Sequence, residues 1–181
     1  MRLITVQHKE VYKILVNTGE YRASEEFISE ILIKPYRFMQ KQLGFNNTPI
    51  FSGIVGHYVN FGGARFEDDY IAIELEVPDE FIKVQRYYDW SDFIYFTELP
   101  WEFKEACNVD KFETVEDWAV TIMDISGNIS KADEHKDALQ ATVEYLKKDW
   151  VTTTLEDLSK LEEECNDNGG RAILEDLSHY R

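Results

Sequence analysis

FEDDYIAIELEVPDEF, residues Phe66 to Phe81, decides the reading of the fold. Inside it Tyr70 to Val77 alternates. Ile71, Ile73, Leu75 and Val77 fall on one side and Ala72, Glu74 and Glu76 on the other, the period of a strand with one covered face. Pro78-Asp79 stops the strand, and Phe81 to Gln85 reads as a short partner. The stretch has no Lys or Arg, while Glu67, Asp68 and Asp69 precede the strand and Asp79 and Glu80 follow it.

Toward the N-terminus, Arg2 to Gln7 reads as a first strand, followed by a helix carrying Val11, Ile14 and Leu15 that Gly19 closes. Ser24 is placed to cap a second helix with Phe27, Ile28, Ile31 and Leu32. Pro35 ends or kinks it, and Pro35 to Leu43 forms a further turn or two closed by Gly44. Ile50 to Phe61 is β-rich, with Gly53 and Gly56 marking a bulge or a close backbone approach and Gly62-Gly63 a turn.

Toward the C-terminus the pattern turns helical. Pro100 suits the first position of a short helix, and Thr114 with Asp117 forms a capping box before Trp118, Ile122 and Met123. Ser130 with Asp133 repeats the signal before Leu139, Val143, Leu146 and Trp150. Thr154 with Asp157 does so before Leu155, Leu158 and Leu161, and Gly169-Gly170 precedes a last short helix. The expected fold class is α+β: a small mixed or antiparallel sheet with N-terminal helices over 1–110, and a helical portion over 111–181 packed on it as one domain.

Of the 181 residues 44% are hydrophobic, enough for an independent core. No window approaches a membrane span or a signal-peptide core, so a soluble, cytoplasmic protein is expected. Cys107 and Cys165 are isolated, and His8, His57, His135 and His179 show no metal-ligand spacing, so neither a metal nor a disulfide is expected.

Charge carries the functional information. The chain has 19 Lys/Arg and 35 Asp/Glu, net −16. Residues 1–65 hold 8 basic and 5 acidic side chains; the remainder holds 11 and 30, a balance of −19. Direct binding of duplex DNA needs clustered cations and is disfavoured. No phosphate loop, nucleophile elbow or paired nucleophile and base is visible.

The acids read in two ways. They can be a solvated face, as charge runs often are. Alternatively, Glu74 and Glu76 stand roughly 7 Å apart on one strand face, a pitch that echoes successive phosphates. On that view Glu67, Asp68, Asp69, Glu74, Glu76, Asp79, Glu80, Glu156, Asp157, Glu162, Glu163 and Glu164 form a partner-binding surface for a cationic groove, with no cofactor. The aromatic run Tyr87, Tyr88, Trp90, Phe93, Tyr95, Phe96 and Trp101 is core, with a few exposed members able to anchor an interface.

The Thr5-Val6-Gln7 strand, Tyr12 and Leu15 leading to Gly19 and Tyr21, Tyr36 to Met39, Pro49-Ile50, the Ile73 to Asp79 strand exit and Trp118 resemble an uncharacterised bacterial and phage family, the domain of unknown function numbered 3841. The chain departs from it at Phe51-Ser52-Gly53, where that family shows Trp, and lacks a Trp-His pair after Ser91-Asp92-Phe93. The family's strand-helix opening looks like small ADP-ribosyltransferases, which implies a catalytic trio His8, Tyr58 and Glu76 and a nucleotide cofactor. In overall character the chain is similar to phage anti-CRISPR proteins that imitate nucleic acid. That similarity implies an inhibitor of a basic nucleic-acid-binding protein such as a guide-RNA-loaded Cas9-type nuclease.

Overall fold

The computed structural model describes residues 1–60, 65–107, 111–129, 138–167, 171–173 and 175–181. The Gly62-Gly63 turn, the Ser130/Asp133 box, His135 and Gly169-Gly170 lie outside the described residues.

The fold is α+β, organised by a six-stranded antiparallel sheet in the order β6-β7-β3-β1-β5-β9. At its centre, β1 (Arg2–His8) pairs with β5 (Tyr70–Glu76) along its whole length, from Arg2 opposite Glu76 to His8 opposite Tyr70. On one side follow β3 (Ile50–Ile54), β7 (Leu139–Val143) and β6 (Lys83–Arg86); on the other, β9 (Val151–Leu155) forms the edge. Two short ribbons stand apart: β2 (Glu20–Tyr21) with β8 (Leu146–Lys147), and β4 (Tyr58–Asn60) with β10 (Arg171–Ile173).

The strand Phe81 to Gln85 exists as β6 but is not a partner of β5; it pairs with β7 at the far edge. Val77 to Ile82 spans the sheet's end to bring it there.

Both faces of the sheet are covered. One carries Leu3, Ile50, Ile71, Ile73, Leu75, Val84, Leu139, Ala141 and Val143 against Leu15 of α1 (Lys9–Thr18). Gly19 closes that helix at φ 86°, in the left-handed region that glycine enters without steric cost.

The opposite face is shared by two clusters. Ile4, Ala72 and Leu155 meet Leu158, the residue before α6 (Ser159–Asp167), Leu161 and Cys165 of that helix, and the C-terminal Leu177 and Tyr180. Phe51 leans toward a helical group made of α2 (Glu30–Leu43), α3 (Tyr87–Glu98), α4 (Pro100–Ala106) and α5 (Val115–Ile122), centred on Met39, Trp90, Phe93 and Phe103. Gly53 is a close backbone approach: a Cβ there would stand 2.6 Å from Val59 Cγ2, so a side chain would push β4 off β3.

Three local expectations change. Leu139 to Trp150 is not a helix. Its helical spacing of apolar residues joins three different elements, and Leu139 to Val143 are all buried because β7 has a strand on either side. A run that is covered all along cannot be distinguished from a helix by period alone. The portion after residue 111 therefore contributes β7 and β9 to the same sheet as β1 and β5.

Pro35 does not end its helix. It is buried inside α2, whose N-cap is Ser29, and Glu25–Phe27 forms a separate short turn after Ser24. Thr154 is not a cap either: it lies in β9 opposite Ile73, and Asp157 alone receives the Ser159 N–H at 3.0 Å. The Thr114/Asp117 box and Pro100 at a helix start hold as expected.

Candidate partner-binding surface

β5 was expected to present Glu74 and Glu76 side by side. Glu74 is instead only 4% exposed. Its face of β5 is covered by α6 and the C-terminal segment, and its carboxylate accepts from Arg2 Nε at 3.1 Å, Arg2 Nη2 at 2.5 Å and the Leu177 N–H at 3.1 Å. Arg2 stands opposite Glu76 yet reaches diagonally to Glu74, and that hydrogen bond, with the carboxylate's charge, raises the guanidinium's pKa. Glu74 is thus a buried clamp between the first strand and the last turn, and it is withdrawn from the partner-binding set.

Five more of the twelve are engaged. Asp69 meets His8 Nε2 at 3.1 Å, Asp79 the N-terminal amine at 3.1 Å, and Glu156 lies 3.9 Å from Lys9 Nζ. Asp157 is held below the usual carboxylate range by the Ser159 hydroxyl and N–H. Glu164 accepts from the Tyr180 hydroxyl at 2.8 Å, and burial together with that bond pushes the Tyr180 pKa up.

Glu67, Asp68, Glu76, Glu80, Glu162 and Glu163 remain exposed, with no ion pair or side-chain hydrogen bond among the described residues. They do not form one stripe. Glu67 and Asp68 precede β5 and Glu80 follows it, so the strand's length, roughly 20 Å, separates them. Glu162 and Glu163 stand on the outward side of α6, because Leu158, Leu161 and Cys165 turn its other side inward. Burial, helped by Glu164 and Glu162, pushes the Cys165 thiol up to about 12.

The chain matches no family model, no curated protein and no solved structure.

The trio His8, Tyr58 and Glu76 is not assembled. His8 is opposite Tyr70 and Glu76 opposite Arg2, six positions apart along β1, or roughly 20 Å. Tyr58 belongs to the β4–β10 ribbon. His8 instead caps α1, its Nδ1 accepting the Glu10 N–H at 3.1 Å.

A cleft of about 210 Å³ is lined by Leu43, Phe45, Glu80, Phe81, Lys83, Glu144, Tyr145 and Trp150. Most of its charges are committed. Lys83 pairs with Asp124 at 3.0 Å, and Glu144 accepts from the Asn46 N–H at 2.7 Å and the Asn47 amide at 3.0 Å. Tyr145 is stacked on Trp150 and carries the Arg22 guanidinium 4.6 Å from its centroid. Lys147 Nζ is within 6 Å of the Phe81, Tyr145 and Trp150 rings. Among the described residues no three His, Cys, Asp or Glu converge to hold a metal ion, and no helix is long and apolar enough to cross a membrane.

Arg2 and Leu177 were the residues sequence reasoning missed. A lone Arg at the start of a strand gives no signal that it will meet a carboxylate 72 positions away.

Proposed function

We propose that this chain is an acidic binding protein that occupies the cationic nucleic-acid groove of a partner such as a guide-RNA-loaded Cas9-type nuclease, in the manner of an anti-CRISPR inhibitor. The carrying observation is the surplus of unpaired carboxylate on a rigid frame. Glu162 and Glu163 on α6 and Glu67 and Asp68 beside β5 are exposed, and their carboxylates have no ion pair among the described residues, although the Lys9 ammonium donates to the Asp68 carbonyl at 2.7 Å. Fixed anions steer encounter with a positive cleft and match it without the cost of ordering a flexible tail. The carboxylates act as separate contacts rather than as a phosphate-spaced row, since Glu74 is inside.

The test is cleavage of target DNA by a purified guide-loaded nuclease with increasing amounts of this protein. Inhibition is expected, and it weakens steeply as salt rises from about 0.1 M to about 1 M because exposed charge is screened. Reversal of Glu162→Lys with Glu163→Lys lowers potency roughly tenfold or more. Undiminished cleavage at large molar excess sinks the proposal.

A further inference from the structure

The aromatic run between Tyr87 and Trp101 divides in the fold. Trp90 and Phe93 are buried in the helical group, whereas Tyr95 is 46% and Trp101 59% exposed. The two are neighbours across the corner between α3 and α4: the Tyr95 hydroxyl donates to Glu102, the residue after Trp101. Tyr95 packs edge-on against Phe96, which fixes its ring.

Around this pair carboxylates outnumber cations, with Lys104, three positions after Trp101 on α4, the one positive charge among residues 87–107. Asp92 and Glu98 lie three positions before and after Tyr95 on α3, and Glu105 lies four after Trp101 on α4, which puts each beside an exposed ring. None of these three carboxylates has an ion pair or side-chain hydrogen bond among the described residues.

An exposed aromatic face with carboxylates at its border has a chemical preference. A guanidinium is planar and weakly hydrated; it stacks on a ring and at the same time donates in-plane hydrogen bonds to a carboxylate. A phosphate is repelled by the same border, and an ammonium gains less from stacking.

We propose that the α3–α4 corner is a docking surface for an arginine-bearing segment of a partner protein, with Trp101 and Tyr95 as the stacking platform and Asp92, Glu98 and Glu105 as the hydrogen-bonding border. This extends the reading above, on which it rests for the sign of the partner, to a part of the molecule with none of the carboxylates named there.

Trp101 is the one exposed tryptophan among the four, so acrylamide quenching of intrinsic fluorescence reports on it selectively. The probes are nine-residue arginine and lysine peptides and, separately, phosphatidylcholine vesicles. The arginine peptide is expected to shield Trp101 from acrylamide and to bind roughly tenfold more tightly than the lysine peptide. Trp101→Ala, whose fold is verified by circular dichroism, weakens arginine-peptide binding measured by calorimetry about tenfold. Tyr95→Phe retains most of it, because the ring stays, and Glu162→Lys with Glu163→Lys leaves the arginine preference intact.

Equal binding of the two peptides, unchanged affinity in Trp101→Ala, or shielding of Trp101 by vesicles instead of the arginine peptide overturns the inference. The two proposals fail separately. Arginine preference at Trp101 without nuclease inhibition removes the function proposed above and keeps this surface. Inhibition that survives Trp101→Ala, without arginine preference, does the reverse.

Discussion

Glu74 of β5 faces the side of the sheet that α6 covers, and its fate is the opposite of that of Glu162 and Glu163 on α6. β5 lies between β1 and β9 with layers on both faces, so Glu74 has no route to water and survives only by collecting the Arg2 guanidinium and the Leu177 N–H. α6 lies outside the sheet and buries a single stripe, so Glu162 and Glu163 stay in solvent at no desolvation cost. Equal formal charge therefore means different things: at Glu74 it holds the fold together, while at Glu162 and Glu163 it is available to a partner.

The strongest test of that contrast is removal of each carboxylate. Glu74→Ala leaves Arg2 without its partner and the Leu177 N–H unsatisfied in the interior, and is expected to cost about 2 kcal/mol. Glu74→Gln keeps an acceptor for Leu177 and costs less. Glu163→Ala, on the outer side of α6, stays within about 0.5 kcal/mol of the parent. Urea denaturation measures all three, and equal midpoints for Glu74→Ala and Glu163→Ala break the comparison.

Hydrogen exchange sharpens it at the level of the backbone. The amides of Ile73 to Leu75, inside the sheet, are expected to exchange only on global unfolding, and those of Glu162 and Glu163 through local opening at least about tenfold faster. A common rate for the two sets sinks the assignment of α6 as the less protected element.

Acid titration gives a smaller effect. At the start of α6, Asp157 is held low by the Ser159 hydroxyl and N–H, and Asp176 by the Ser178 hydroxyl, with backbone N–H groups adding to it. On the other half of the molecule Asp124, though partial burial pushes it up, is held low overall by Ser126 and Lys83. A lowered folded pKa contributes stability that is complete above the unfolded value, near 4, and is lost as pH falls through the folded value. Stability by urea midpoint is therefore expected to fall below about pH 4, and Asp157→Asn flattens that fall. An unchanged acid limb in Asp157→Asn removes the carboxylate from the account.

The mildest test is thiol accessibility. Cys165, buried on the inner stripe of α6 with its pKa pushed up to about 12, is expected to resist iodoacetamide at neutral pH, while half-buried Cys107 reacts. Mass spectrometry of the native protein after alkylation gives the order. Modification of Cys165 first contradicts the inward orientation of that stripe.

Much of the fold was legible residue by residue. Arg2 to Gln7, Tyr70 to Val77, the Gly19 and Gly44 stops, the Thr114 cap and Pro100 depend on local period, caps and turn conformation, and those are properties of neighbouring residues. Leu139 to Trp150 was not legible, because a strand with neighbours on both sides and layers on both faces loses the alternation that marks a half-covered strand. The candidate surface divides along the same line. Glu162, Glu163 and Glu164 were read together as one charge run, and the fold leaves the first two exposed while Tyr180 takes the third; Glu74 was misassigned by a clean alternation on β5.

By itself the sequence determined an α+β chain with an excess of negative charge after residue 65, and it placed the helix ends at Gly19, Gly44, Pro100 and Thr114, since these follow from short-range backbone preference. Only the tertiary structure decided which carboxylates meet water. That outcome depends on what packs against each strand face: Arg2 and Leu177 reach Glu74 across 72 and 103 positions of chain, a contact that no local pattern encodes.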